Sequence, residues 1–229
     1  MIFKLIKAGV LAAALLATPF AAEAADMKVP VYKGVPRSVI SYYNWSGLYA
    51  GLNVGYGTGT SDWDVPAVSL SPKGMTYGAT FGYNWQAGSF VYGIESDYNL
   101  SNVKGSLANC GGVVGSTCET SNTWHATFRG RLGYAFDRFL PYVTGGGAYG
   151  NIKASRTLLN QTAEESKFGY AFGAGLEYAF LGNWTAKIEY LYIDLGSFDP
   201  PFVAPMTNSV SFKESTVRLG VNYKFSGGW

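Results

Sequence analysis

Charge is scarce in this chain. Only 14% of its 229 residues are Asp, Glu, Lys or Arg, where a soluble domain carries about a quarter. Long apolar runs are scarce too. The longest stands at the amino terminus and stays short of the roughly 18–20 residues that a membrane-crossing helix needs. Histidine occurs once, at His125, and cysteine twice, at Cys110 and Cys118. Two thiols and one imidazole are an incomplete zinc set, so no metal site and no cofactor is expected. A formal net charge of +2 is no polybasic field, and nucleic acid is not an expected partner. Low charge does not signal disorder here, because disorder pairs high charge with low hydrophobicity. This chain is 48% apolar and 16% aromatic, with 30 glycines.

What is present is alternation. In residues 124–136, Trp124, Ala126, Phe128, Leu132, Tyr134 and Phe136 fall on one parity, and His125, Thr127, Arg129 and Arg131 on the other. Successive side chains of a strand point to opposite faces, so one face is greasy and the other carries charge. The same pattern recurs at about 46–57, 74–85, 89–100, 167–180, 183–195 and 214–225. An eighth segment, about 139–152, is strand-like, but the run Gly145-Gly146-Gly147 hides its parity. A chain built this way puts apolar side chains outside and polar ones inside. That is an all-β fold: an eight-stranded antiparallel transmembrane β-barrel. A soluble barrel would have to show water one whole parity, and here the apolar parity dominates in bulk. An eight-stranded barrel is about filled by its own side chains, so no wide aqueous channel is expected.

The connections alternate in length. Tight turns are predicted near Gln86-Ala87-Gly88, Asp137-Arg138 and Leu181-Gly182-Asn183, from their turn-type residues. Longer loops are predicted at about 58–73, 101–121, 153–166 and 196–213. Short periplasmic turns and longer extracellular loops are the outer-membrane pattern. Residues 1–24 read as a signal peptide: Lys4 and Lys7, an apolar run from Ala8, and Ala22-Glu23-Ala24 as the cleavage site. Residues 25–44 read as a periplasmic lead-in and 45–229 as the barrel domain. In an exported chain Cys110 and Cys118 read as a disulfide closing a small loop.

The inward parity carries a near-balanced set of charges: Glu95, Asp97, Glu177 and Glu189 against Arg129, Arg131, Lys187, Arg218 and Lys224, with His125 nearby. An unpaired charge in a narrow, poorly hydrated lumen costs several kcal/mol, so a paired-charge plug is expected. Antiparallel neighbours should set Glu95 and Asp97 against the region of His125, Thr127 and Arg129, and Lys187 and Glu189 near Arg218. An ion path through the same charges is the functional alternative.

Two motifs carry no chemistry. Gly145 to Gly150 satisfies G-x-G-x-x-G, but no helix pattern follows it, as a dinucleotide site requires. His125 has no Ser near it on its own face, so nucleophilic catalysis lacks its nucleophile and no enzyme activity is expected. The carboxyl-terminal Arg218-x-Gly220-x-x-Tyr223-x-Phe225 resembles the assembly signal of outer-membrane barrels, although Ser226-Gly227-Gly228-Trp229 follows it.

Several stretches in order, Asn44-Trp45-Ser46-Gly47-Leu48-Tyr49-Ala50-Gly51, Tyr142-Val143-Thr144-Gly145-Gly146, Gly173-Ala174-Gly175-Leu176-Glu177-Tyr178 and Glu189-Tyr190-Leu191-Tyr192, resemble the small outer-membrane barrels of alphaproteobacteria. These are the opacity-type "porin family", relatives of the OmpA transmembrane domain. The resemblance covers about residues 44–225. It implies a Gram-negative outer-membrane protein that supports envelope integrity and host or surface interaction. It also implies partners in outer-membrane lipid, lipopolysaccharide and the barrel assembly machinery, with a surface ligand at the loops. Some members bind hemin, so a hemin-binding receptor and a narrow pore for small solutes are the rival expectations.

Overall fold

The computed structural model describes residues 42–64, 67–110, 114–157, 161–199 and 209–225. The signal-peptide reading of residues 1–24 and most of the 25–44 lead-in lie outside the described residues. The described chain is strand almost throughout: β1 (Gly47–Trp63), β2 (Val68–Leu70), β3 (Lys73–Ala87), β4 (Phe90–Ala108), β5 (Thr117–Tyr134), β6 (Phe139–Arg156), β7 (Gln161–Leu181), β8 (Trp184–Phe198) and β9 (Val210–Phe225). Each strand pairs antiparallel with the next, and β9 returns to β1 from Leu48↔Phe225 to Trp63↔Val210. This pairing closes the wall into a ring. The three-residue β2 folds back on the far end of β1, so eight strands form the wall.

The turn end is built by left-handed backbone at the predicted places. Gly88, Asp137 and Gly182 have φ of 61°, 53° and 49°, the geometry that tight hairpin turns demand.

The outer surface carries the apolar parity: Leu52, Tyr56, Phe81, Tyr98, Phe128, Phe168, Leu219 and their neighbours are all exposed. In β6, which the sequence left without assigned faces, Leu140, Tyr142 and Thr144 point inward and Phe139 and Val143 outward. Gly145 and Gly147 fall on the outward row.

The strands run past the ends that periodicity sets. The wall strands have 15 to 21 residues, while about 9–11 suffice to cross a bilayer. Much of the four predicted loops is therefore strand: 58–63, 68–70, 101–108, 117–121, 153–156, 161–166, 196–198 and 210–213. The reason is a reversal of sense. Beyond the apolar band the inside becomes greasy and the outside polar: in β9, Val210 and Phe212 are buried while Lys213 is exposed. A reading keyed to greasy-outside alternation stops where this begins. Bulges help the change. Between Asn122 and Trp124 the register of β5 on β6 shifts by one, so Asn122 and His125 both face inward. A bulge does this by adding one residue to one strand.

Inside this extension Trp63, Leu70, Val103, Ile152, Ile193, Val210 and Phe212 pack as one apolar cluster that includes the Cys110–Cys118 disulfide. Removing the disulfide by Cys110→Ala with Cys118→Ala is expected to cost about 2–3 kcal/mol by loop-closure entropy. The readout is faster proteolysis within 109–116, while the folded wall keeps its heat-modifiable gel mobility.

Candidate functional site

The lumen is layered. At the turn end, Trp45 lies buried with Val91, Leu140 and Ala179. Its indole donates to the Asp137 carbonyl at 2.9 Å, and its amide donates to Gln86 Oε1 at 2.7 Å. Tyr43 donates its amide to Asp137 Oδ1 at 2.9 Å. Burial pushes the Tyr43 phenol up to about 12, so it stays neutral at ordinary pH. The last residues of the expected lead-in thus cross the mouth of the barrel and seal it.

Above this seal lie four acids and four bases, each almost fully buried. The register places Glu95 opposite Arg129, Asp97 opposite Thr127, and Glu189 opposite Arg218. Arg129 reaches Glu95 at 2.7 Å, Asp97 at 2.6 Å and Glu189 at 3.2 Å. Arg218 holds Glu189 at 2.5 Å and Asp97 at 3.0 Å. Arg131 pairs with Glu177, which also accepts from Asn222 at 2.9 Å. Lys187 Nζ meets Glu95 Oε2 at 2.9 Å. β4 and β8 are four strands apart in a ring of eight, so this last bond runs straight across the barrel.

Two inward tyrosines complete the network. Tyr49 donates to Glu95 at 2.8 Å and Tyr142 donates to Glu189 at 2.7 Å. Each lies over a cross-strand glycine. A Cβ on Gly82 would stand 2.3 Å from the Tyr49 ring, and one on Gly175 would stand 2.6 Å from the Tyr142 ring. The Arg131 guanidinium stacks 3.7 Å from the Tyr142 ring centre, a cation–π contact in a water-poor site.

Two residues of the expected network stand apart from it. Lys224 is at the turn-end mouth, donating to the Asn44 carbonyl and lying 4.5 Å over the Tyr43 ring. It follows Arg218 by six residues, three inward positions toward the turn end, which carries it past the charges to the seal. His125 is fully buried but faces Asn99 and Gly150, and it makes no ion pair among the described residues. It lies one inward position above Thr127, beside Asn99; at this end of the charges β9 carries Thr216, whose hydroxyl donates to the buried carboxyl of Glu214 at 2.8 Å. Alternation and charge alone do not single out Tyr49 and Tyr142. Tyr49 was detectable as the one aromatic on the Gly/Asn parity of its strand; Tyr142 sat where parity was hidden.

Of the carboxyl-terminal motif, Arg218 is in the network and Gly220 packs toward the Lys187 chain. Tyr223 and Phe225 meet edge-to-face at 5.2 Å. Over the charges and amides sits the apolar cluster of the extension. Among the described residues no group of His, Cys, Asp and Glu is arranged to hold a metal.

Residues 9–225 match the family described as "Outer membrane protein beta-barrel domain". The 31 kDa outer-membrane immunogenic protein of Brucella melitensis is 38% identical, over 93% of this chain and 96% of its own. The 22 kDa outer membrane protein of Rhizobium leguminosarum is 36% identical, over 80% and 79%. Among solved structures, the outer membrane protein OprG of Pseudomonas aeruginosa superposes with a TM-score of 0.50 at 14% identity, covering 80% of this chain and 97% of that one, a likeness of fold. A wall with an apolar outside, a paired-charge inside and relatives of near-equal length together make this chain a member of the outer-membrane β-barrel protein family, resident in the bacterial outer membrane.

Proposed function

We propose that this protein is a closed envelope barrel: it supports outer-membrane integrity and presents its extended extracellular hairpins to a host or surface partner. The observation that carries this reading is the Lys187–Glu95 bond across the lumen, at 2.9 Å, with an apolar seal at each end. Charges that neutralise one another across the full width leave no ion path, and desolvated pairs of this kind resist separation. The Brucella relatives are named immunogenic outer-membrane proteins, which supports the surface-presenting part. This reading involves no catalysis: His125 is buried in the lumen opposite Asn99 and Gly150, and among the described residues no serine is its cross-strand partner. The carboxyl-terminal Tyr223 and Phe225, outward at the last strand's end, serve as the recognition element for the assembly machinery.

The test is planar-bilayer recording with pure refolded protein. No steady single-channel steps are expected. Reproducible steps would replace this reading with the narrow solute pore. A saturable absorbance change on hemin titration would replace the structural role with a receptor.

A further inference from the structure

The inward face buries a fifth acid that the charge network does not use. Glu214 of β9 is 1% exposed. Thr216 donates to its Oε1 at 2.8 Å, and its Oε2 has no hydrogen-bond partner. It makes no ion pair among the described residues. Its cross-strand neighbours are Gly59 on β1 and Ile193 on β8, and Phe212 and Thr216 flank it on the inward row of its own strand. None of these can be charged. The next inward cation along β9 is Arg218, which holds Asp97 and Glu189. The inward row of β4 offers Val103 and Asn99, and that of β5 offers Asn122 and His125, the one titratable group among them. Lys104, Lys213 and Asp194 lie on the other parity, the last two 4.0 Å apart. Lys213 and Ser215 flank Glu214 on the outward row, where the apolar band of β9 begins only at Val217. Glu214 thus lies just above that band. Burial pushes its carboxyl up to about 7.

Glu214 also stands at a seam. Beyond Tyr170↔Asp194 no ladder joins β7 to β8 among the described residues, and beyond Lys73↔Lys104 none joins β3 to β4. A bulge in β8 between Asp194 and Ser197, with Gly196 at a φ of 71°, ends the pairing with β7 while that with β9 continues. The extension is therefore two sheets, β4–β5–β6–β7 and β8–β9–β1–β2, which share the apolar cluster. Ser61 and Trp63 of β1 bridge them by donating to Thr120 Oγ1 of β5, at 3.1 and 3.0 Å. Glu214 belongs to the second sheet and abuts Val103 of the first: a Cβ on Gly57 would stand 2.5 Å from Glu214 Oε1 and 3.1 Å from Val103 Cγ2. A carboxylate formed there is a buried charge without a counter-ion, and parting the sheets gives it water.

We propose that Glu214 is a proton-operated latch: protonated, it lets the two sheets of the extension close on one another, and its ionisation parts them. The latch regulates the hairpins proposed above as the presented surface, and it rests on that reading only for what a partner meets. The sign follows from the raised carboxyl. In the parted state Glu214 is solvated and ionises near its ordinary 4.5, while in the closed state it keeps its proton to about 7. Parting therefore releases a proton between these values. Closure is fullest below about 4.5, weakens as pH rises, and changes no further above about 7.

The experiment uses the full chain in lipid vesicles, with the native disulfide intact and spin labels on Thr60→Cys of β1 and Lys153→Cys of β6. Both positions are exposed, and their strands are four apart in the ring of eight. Pulsed electron paramagnetic resonance reads the distance between the labels across the pH range of the titration. Between about pH 5 and 7 the ratio of longer to shorter distances should rise about tenfold per pH unit, the signature of one released proton. Glu214→Gln should hold the short distance at every pH. Thr216→Val, which removes the donor to the carboxylate, should move the rise to higher pH. His125→Gln should follow the parent. A parent distance that does not change over this range overturns the proposal. So does an equal rise in Glu214→Gln, which assigns the titration to another group. If Glu214→Gln does not insert, an unshifted rise in Thr216→Val overturns it alone. No partner and no voltage enter the measurement, so its failure leaves the closed, surface-presenting reading standing, and channel steps in the bilayer leave the latch standing.

Discussion

Arg129→Met is expected to destabilise the folded barrel by about 3–5 kcal/mol, the cost of removing one partner from a buried ionic network. The guanidinium contacts three carboxylates, Glu95, Asp97 and Glu189, and its Nε donates to Thr127 at 2.9 Å. Four acids would then face three bases in a space closed at both ends. Adding Asp97→Asn restores neutrality, and the double variant should recover part of the loss; a double-mutant cycle in urea, in lipid vesicles, measures the coupling. The result also bears on the lumen itself. If Arg129→Met changes stability by less than about 1 kcal/mol, the stranded carboxylate is being solvated. The lumen then holds water in quantity, and the closed reading fails with it.

The wall was readable because a membrane strand announces both of its faces. Segments such as Met75 to Trp85 and Phe168 to Phe180 alternate without a break, and their observed exposure follows that alternation. Register followed from the turns. Gly88 and Gly182 fix where strands reverse, and this sets Glu95 against Gly82 and Glu177 against Lys187; Glu95–Arg129 and Glu189–Arg218 join strands linked by the longer connections, where no tight turn sets the register. Faces were lost where side chains vanish, at Gly145 to Gly147. What the sequence concealed was the distance between neighbours in the ring. That β4 and β8 are opposite each other can be counted, but whether Lys187 extends across to Glu95 depends on the width left by Tyr49 and Tyr142. The seals were hidden for another reason. Trp45, Val91, Leu140 and Ala179 come from four separate parts of the chain; Trp45 precedes β1, and each of the other three looks like an exception to its own strand's pattern.

The three lumen layers follow from one constraint. A barrel of eight strands has no room for bulk water, so every inward side chain must find its partner among other inward side chains. In the membrane the outward row is apolar, and the inward row can be charged because the wall brings both signs together. Outside the membrane the outward row must meet water, and the inward row reverts to the packing of a soluble core. The Cys110–Cys118 bridge belongs to that second regime: both cysteines are fully buried within the apolar cluster. The extension is therefore a soluble-type β-structure standing on a membrane-type one, sharing strands but not chemistry.

Phe212→Asp should separate the two. Phe212 is fully buried among Trp63, Val103, Ile152 and Val210. Losing its ring costs about 3–5 kcal/mol, and a lone carboxylate in that site adds several more. Because the affected cluster is confined to the extension, the expected result is local. Limited proteolysis of whole cells or of vesicles should cut faster within the extension, beyond the apolar band. The membrane wall, held by its own charge network and by bilayer hydrogen-bond demand, should keep its heat-modifiable mobility and remain inserted. Phe212→Leu, which preserves most of the volume, should leave cleavage near the parent level. If instead Phe212→Asp abolishes insertion altogether, the wall and its extension form one cooperative unit, and the apolar cluster is part of what folds the membrane segment.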